Sequence, residues 1–315
     1  MNHLKQKLIY KKLKYILFMI IIKMNLLDNT KLIEPHDVFK IKWSPLLILR
    51  SIILLSFRLP FLLLILLGLF IYTYIPIKRN VFIDNFFGQS LCFFLGIKIK
   101  VENYKKETEF PKIIVCNHLS VIDSIIISAI LPCKFGFVYN PIAANTFPLS
   151  AGFKKCGGVV LNKRINFRDK TNSDKIQEIT NYLSLNDPIN EGRLFIFPEG
   201  RHTNGKYMID FRRGAFIHNI DIQPILITTD NIFLDEKDVY NGIPEYGMKP
   251  IAKGDDFYYL FMYLFRILSN PYIIVTVKYL PEYKKKDYDI DLKTTTDKVR
   301  DIMISYDKRI KKLDL

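Results

Sequence analysis

The apolar pattern of this chain is continuous first and broken later. From residue 59 to 77 no side chain carries a charge, and positions 61–71 read Phe-Leu-Leu-Leu-Ile-Leu-Leu-Gly-Leu-Phe-Ile. A bilayer core of ~30 Å needs about 20 apolar residues in a helix, so this run is long enough for one span. Lys78 and Arg79 close it. The stretch 46–57 before it is also apolar but holds Arg50, with Arg58 just after. A centred Arg costs roughly 2.5–3.5 kcal/mol on insertion, so this half is predicted to lie at the interface or to snorkel. Pro60 is predicted to kink or separate the two halves. A hairpin dipping into one leaflet and a full span both remain open. A buried core helix is disfavoured, because the uncharged run has no polar face to offer water.

Upstream, residues 1–27 contain no acid; Lys5, Lys7, Lys11, Lys12 and Lys14 precede a short apolar stretch at 15–22. This is the outline of a targeting leader without its small-residue cleavage site. Eight residues at ~1.5 Å reach roughly 12 Å, too short to cross. The prediction is an uncleaved signal or an interfacial helix, with a basic tail as the alternative.

Beyond 79 the pattern changes to short strands alternating with helical periods. Strands are predicted at 98–102, 113–116, 158–161, 193–197, 223–228 and 272–279, and helices at 120–131, 171–185, 258–268 and 295–310. That alternation predicts an α/β domain with a mixed, largely parallel sheet flanked by helices, after an N-terminal membrane helix or hairpin. The division expected is a basic leader over 1–42, a membrane-anchoring segment over 43–79 and a catalytic domain over 80–315. Residues 284–291 are read as a solvated loop.

Composition adds a partner requirement. The 315 residues are 49% hydrophobic yet carry a net charge of +15, a balance open to nucleic acid, an anionic bilayer or a phosphate-bearing ligand. The general abundance of Lys alongside Ile, Asn and Tyr leaves open that part of this charge has no partner. Cys92, Cys116, Cys133 and Cys156 form neither a CxxC pair nor a Cys/His cluster, so buried thiols are expected and no metal site.

The chemistry gathers at strand ends. Residues 113–123 read Ile-Ile-Val-Cys-Asn-His-Leu-Ser-Val-Ile-Asp. Five residues apart on one helix, His118 and Asp123 would point about 140° from each other. They meet only if His118 lies on the loop and Asp123 on the first turn of the next helix. Ser120 to Asp123 is also a capping-box spacing, so Asp123 has a second reading as a cap. A later strand ends in Phe197-Pro-Glu-Gly200, followed by Arg201 and His202. A carboxylate and cations on such a turn can hold phosphate and hydroxyls, although Pro-Glu-Gly is good turn chemistry anywhere. Residues 158–164 form a strand ending in Lys163 and Arg164, and Pro224 marks a strand edge or bend under a cleft.

In this order the four segments resemble the ordered motifs of the glycerolipid acyltransferase family. Asn117-His118-x4-Asp123 resembles the first, 158–164 the second, Phe197 to Gly200 the third and the Pro224 strand the fourth. The segments Glu199 to Gly205 and Phe211-Arg-Arg-Gly-Ala-Phe216 resemble the branch acting on lysophosphatidylcholine and lysophosphatidylethanolamine. Many members have Thr after Glu-Gly, often with Arg next; here Arg201 and His202 stand there, which leaves the head group open. No EF-hand ligand pattern follows, so calcium control is not expected.

The resemblance implies an acyl-CoA-dependent transfer to a lysophospholipid (lysophosphatidic acid, lysophosphatidylcholine or lysophosphatidylethanolamine) in a membrane, the endoplasmic reticulum first. No cofactor is implied, acyl-CoA being a co-substrate, and no nucleic acid. His118 would act as general base, Asp123 would orient its imidazole, and backbone N–H groups near the helix start would hold the oxyanion. With no GxSxG motif, direct transfer is favoured over an acyl-enzyme. Asn117, Arg164, Glu199, Gly200 and Arg201 would line the acceptor site, with His202 and His218 as lesser candidates. Three alternatives stay open: a glycerol-3-phosphate acyltransferase, a CoA-independent transacylase, and a catalytically silent membrane-anchored lipid-binding protein.

Overall fold

A computed structural model of the protein describes residues 45–106, 109–139, 155–160, 179–183, 192–230, 264–287 and 291–314. The leader at 1–27 and Arg164 lie outside the described residues. Helix α1 (Pro45–Tyr74) opens the described chain. Its segment Ile48–Tyr74 is 27 residues long, apolar enough to cross a membrane, and largely uncovered by the rest of the protein. At ~1.5 Å per residue it is about 40 Å long. The helix runs unbroken through Pro60, where a kink or a separation is predicted, so the two halves are not separate helices. Pro60 deletes one backbone bond, but in apolar surroundings a helix remains the conformation that satisfies all the others.

Arg58, which follows the half predicted to lie at the interface or to snorkel, is turned into the protein: its guanidinium donates to the carbonyls of Leu268 (2.6 Å), Asn270 (2.5 Å) and Pro271 (2.5 Å). The residue is 7% exposed. Three carbonyls at the end of the helical residues 264–269 thus receive the donors that water would otherwise supply.

Helix α2 (Val81–Leu95) follows, in a stretch where the sequence reading placed no element. Its signals were present: the Asn80 side chain accepts from Phe82 N–H and Gly96 closes the helix in the left-handed conformation. Gly88, Leu91, Cys92 and Leu95 form its buried face. A Cβ at Gly88 would stand 2.7 Å from the Ala129 backbone, so glycine is what lets α2 approach the next helix. The opposite face exposes Phe82, Phe86 and Phe93. Arg79 pairs with Asp84 at 2.6 Å and also donates to the carbonyls of Phe135 and Cys156, fastening the α1–α2 link to the sheet.

The remaining elements are β1 (Ile97–Glu102), β2 (Ile113–Cys116), α3 (Asp123–Ile130), β3 (Gly136–Tyr139), β4 (Gly158–Val160), β5 (Leu194–Ile196), β6 (Tyr207–Met208), β7 (Ile222–Asp230), β8 (Ile273–Tyr279), α4 (Leu292–Ser305) and β9 (Lys311–Lys312). Seven strands form one sheet in the order β1-β8-β7-β2-β5-β3-β4. From β7 to β4 all neighbours are parallel; β8 is antiparallel to β7, and β1 runs with β8. This is the mixed, largely parallel sheet expected. Both faces are covered, which is why β2 is apolar at every position. Ile114, Cys116 and Phe195 share a core with α2 and α3, and Ile113, Val115, Leu194 and Ile196 one with α4.

Three local predictions differ. Strand β3 was not expected. Helix α4 starts earlier and ends earlier than 295–310, because Asp291 caps the N–H groups of Lys293 and Thr294 and residues 311–312 leave to pair with β6. Pro224 is at no edge: it sits in β7, between β2 and β8. Its carbonyl accepts from Leu280 N–H at 3.1 Å, and Gln223 Nε2 donates to Leu280 O at 2.7 Å. The Gln223 side chain supplies the donor that proline lacks.

Candidate active site

The parallel strands β2, β5 and β7 end at one edge of the sheet, the place where open α/β sheets hold ligands. Asn117 leaves β2 there. Its side chain accepts from Ile227 N–H at 2.7 Å and donates to Ile227 O at 2.9 Å, acting as one more rung towards β7. With Asn117 pinned, the chain turns and His118 lies on the loop while Asp123 opens α3, the arrangement the spacing required.

His118 Nδ1 is 2.8 Å from Asp123 Oδ2. That same oxygen accepts the N–H groups of Leu119 at 2.6 Å and Ser120 at 2.9 Å. Ser120 Oγ in turn accepts from Ile122 N–H. The capping and orienting readings of Asp123 are therefore one structure: the carboxylate closes the turn and holds the ring together. Asp123 is 0% exposed, whereas 17% of the His118 side chain is exposed. Nδ1 faces the acid, so Nε2 is the nitrogen left for a substrate proton.

The ring is also held from its faces. Phe197 stacks on it with centroids 3.9 Å apart and planes 12° from parallel, and His202 lies at 3.9 Å and 59°. Phe197 and His202 come from the turn after β5. The same turn grips the main chain of residue 118: His118 N–H donates to Glu199 Oε1 at 2.9 Å, and Thr203 N–H donates to His118 O at 2.8 Å. Glu199 Oε2 accepts from Ile209 N–H at 3.2 Å. Glu199 is 2% exposed, and burial pushes its carboxyl up to about 8, against the pull of its two N–H donors. Gly200 has φ +65, a left-handed conformation that favours glycine, and the Arg212 guanidinium lies against its Cα.

The predicted site residues separate accordingly. Asn117, His118, Asp123, Glu199 and Gly200 meet at one edge. Arg201 is half-buried beside them, and its guanidinium makes no hydrogen bond or ion pair among the described residues. Of the residues expected to line the acceptor site, Asn117 and Glu199 make hydrogen bonds to backbone partners. At the helix start, where the oxyanion donors are expected, the amides of 118, 119, 120 and 122 have internal acceptors. Phe197, Thr203 and Arg212 are neighbours of the site that the sequence reading did not single out. The Phe197 signal was available, an aromatic immediately before the Pro-Glu-Gly turn.

Lys284, Lys285 and Lys286 line a shallow hollow with Asn219 and Asp221. It lies by the start of β7, at the opposite edge of the sheet from His118, so it takes no part in this constellation.

Comparisons with known proteins agree with this architecture. Residues 98–228 match the family model described as Acyltransferase. Lysophosphatidylcholine acyltransferase 2 of Danio rerio is 29% identical over 148 residues, covering 47% of this chain and 27% of that protein. Putative 1-acyl-sn-glycerol-3-phosphate acyltransferase acl-2 of Caenorhabditis elegans is 26% identical over 153 residues, covering 48% of this chain and 50% of that one. The chain thus spans half or less of the length of these curated relatives. The crystal structure of the 1-acyl-sn-glycerophosphate (LPA) acyltransferase PlsC from Thermotoga maritima shares the fold, with a TM-score of 0.51, 14% identity, and coverage of 83% of this chain and 98% of that one. The motif resemblance is shown, and residues 98–228 are an acyltransferase-family domain.

Proposed function

We propose, from the acyltransferase-family domain at residues 98–228, that this protein transfers a fatty acyl chain from acyl-CoA to the hydroxyl of a lysophospholipid at a membrane. The observation that carries the reading is the His118–Asp123 pair, 2.8 Å apart, with its ring partly open at the carboxyl edge of the sheet. A lysophospholipid hydroxyl is a poor nucleophile at neutral pH. Nε2 of His118 takes its proton as the oxygen attacks the thioester carbonyl, and Asp123 stabilises the imidazolium that forms. The tetrahedral intermediate collapses, the C–S bond breaks, and coenzyme A leaves as a thiolate that collects the proton. Arg201 and, on the family resemblance, Arg164 are the cations assigned to a substrate phosphate.

The apolar helix supports a membrane setting. Arg58 ties the middle of α1 to residues 268–271, immediately before β8. Ile274 of β8 pairs with Asp230 at the end of β7, so this anchor sits at the same edge as His118. An enzyme whose apolar arm starts beside its reactive edge can take acyl chains without carrying them through water, which costs about 0.8 kcal/mol per CH₂. We assign the protein to the endoplasmic reticulum membrane on the family resemblance. The test is an acyl-CoA transfer assay on the purified protein across lysophosphatidic acid, lysophosphatidylcholine, lysophosphatidylethanolamine and glycerol 3-phosphate. Transfer to the lysophospholipids supports the reading; transfer to glycerol 3-phosphate alone, or to none, overturns it.

A further inference from the structure

We infer that Glu199 is a positioning residue for His118 and not a ligand of the acceptor. The inference rests on the acyl-transfer reading, with His118 as base, and concerns how that base is held. Residue 118 is gripped at both of its backbone groups by one turn: its N–H gives a bond to Glu199 Oε1, and its C=O takes one from Thr203 N–H. Its side chain is held separately, by Asp123 on Nδ1 and by Phe197 on the ring face. The second oxygen of Glu199 accepts from Ile209 N–H. Arg300, itself buried in α4, pairs with the next residue, Asp210, at 2.7 Å. Glu199 therefore bridges the loop that carries the base and a segment fixed from the far side of the sheet. At 2% exposure, with each oxygen facing a main-chain N–H, its carboxyl is turned into the protein and away from an acceptor.

The two roles separate in steady-state kinetics. A misplacement of the base by about 1 Å costs on the order of 100-fold in the chemical step. Gln at 199 keeps the volume and one acceptor oxygen but turns an NH₂ towards one of the two N–H donors; Ala removes both acceptors. For positioning, Glu199→Gln lowers kcat by about 10- to 100-fold and Glu199→Ala lowers it further. KM for lysophosphatidylcholine and lysophosphatidic acid stays within about twofold, and the kcat/KM ratio of the two acceptors is unchanged. A rise in acceptor KM of about 10-fold or more at unchanged kcat, or a changed ratio between the acceptors, overturns the inference in favour of acceptor contact. Should the variants not fold, hydrogen exchange on the wild-type protein decides. The His118 amide is then expected to exchange slowly without acceptor, and protection appearing only when lysophosphatidylcholine is added overturns the inference. Wild-type transfer that His118→Ala abolishes, together with an unaffected Glu199→Gln, would sink this inference alone and leave the acyl-transfer reading standing.

Discussion

The reactive turn and the apolar arm hold themselves together by opposite means. Around His118 the buried carboxylates are tied to their neighbours: one carboxylate oxygen of Asp123 takes three donors, and Glu199 ties two backbone segments. Along α1 the side chains are almost all apolar and exposed, and the arm is fastened near its middle by Arg58 on three carbonyls. Buried polar groups are costly unless paired, so the first region can have only one arrangement. The second presents apolar surface that water would not tolerate and lipid would. Rigidity at the base and a greasy approach beside it are what a transfer between lipid substrates requires.

The contrast can be broken most strongly from the polar side. Asp123→Asn can keep an acceptor oxygen but loses the negative charge that stabilises the imidazolium, so kcat is expected to fall by about 10²- to 10⁴-fold. Acceptor binding should change little, and loss of the cap should lower stability by only about 1 kcal/mol, readable by denaturant unfolding. Phe197→Leu removes the ring that stacks on His118 and keeps an apolar contact. A stacking contribution of about 0.5–1.5 kcal/mol predicts a loss of about 2- to 10-fold in kcat, with thermal stability moving little.

On the apolar side, Arg58→Met keeps the helix and removes its donors. Leaving three carbonyls to find other partners should cost about 1–3 kcal/mol, seen as a lower midpoint of unfolding in detergent, while the protein still partitions with membranes. The last contrast concerns pH. Burial raises the Glu199 carboxyl from 4.5 to about 8, so its folded pKa exceeds its unfolded one. Such a group adds stability below the unfolded value and loses it as pH rises through the folded one. Between about pH 4.5 and 8 the wild-type unfolding midpoint should therefore fall relative to that of Glu199→Gln, and parallel curves would contradict the raised pKa.

The same contrast explains what could be read from the sequence. Strands β2, β5, β7 and β8 were legible because a strand buried on both faces is a short apolar run ending in Pro, Asn or a charge. The pairing of His118 with Asp123 was legible from a five-residue spacing that fails on a helix and works at a strand-to-helix turn. The destiny of Arg58 was not. Its partners are main-chain carbonyls more than 200 residues away, and carbonyls carry no residue identity to search for. Glu199 reads in the sequence as a carboxylate on a polar turn, and its burial with both oxygens on main-chain N–H groups was not legible there. Pro224 reads as a strand edge or a bend, and its place inside the sheet was not legible because its compensating donor is the side chain of Gln223, a neighbour whose direction only the sheet defines.

The central claim is that the imidazole of residue 118 removes the acceptor proton. It is tested most directly by measuring acyl transfer from a long-chain acyl-CoA to lysophosphatidylcholine by the wild-type protein and His118→Ala at equal, membrane-bound amounts. Turnover by the wild type and a loss of about 10³-fold or more in the variant is the predicted result, at the scale of a missing general base. Equal turnover by the two proteins would contradict it.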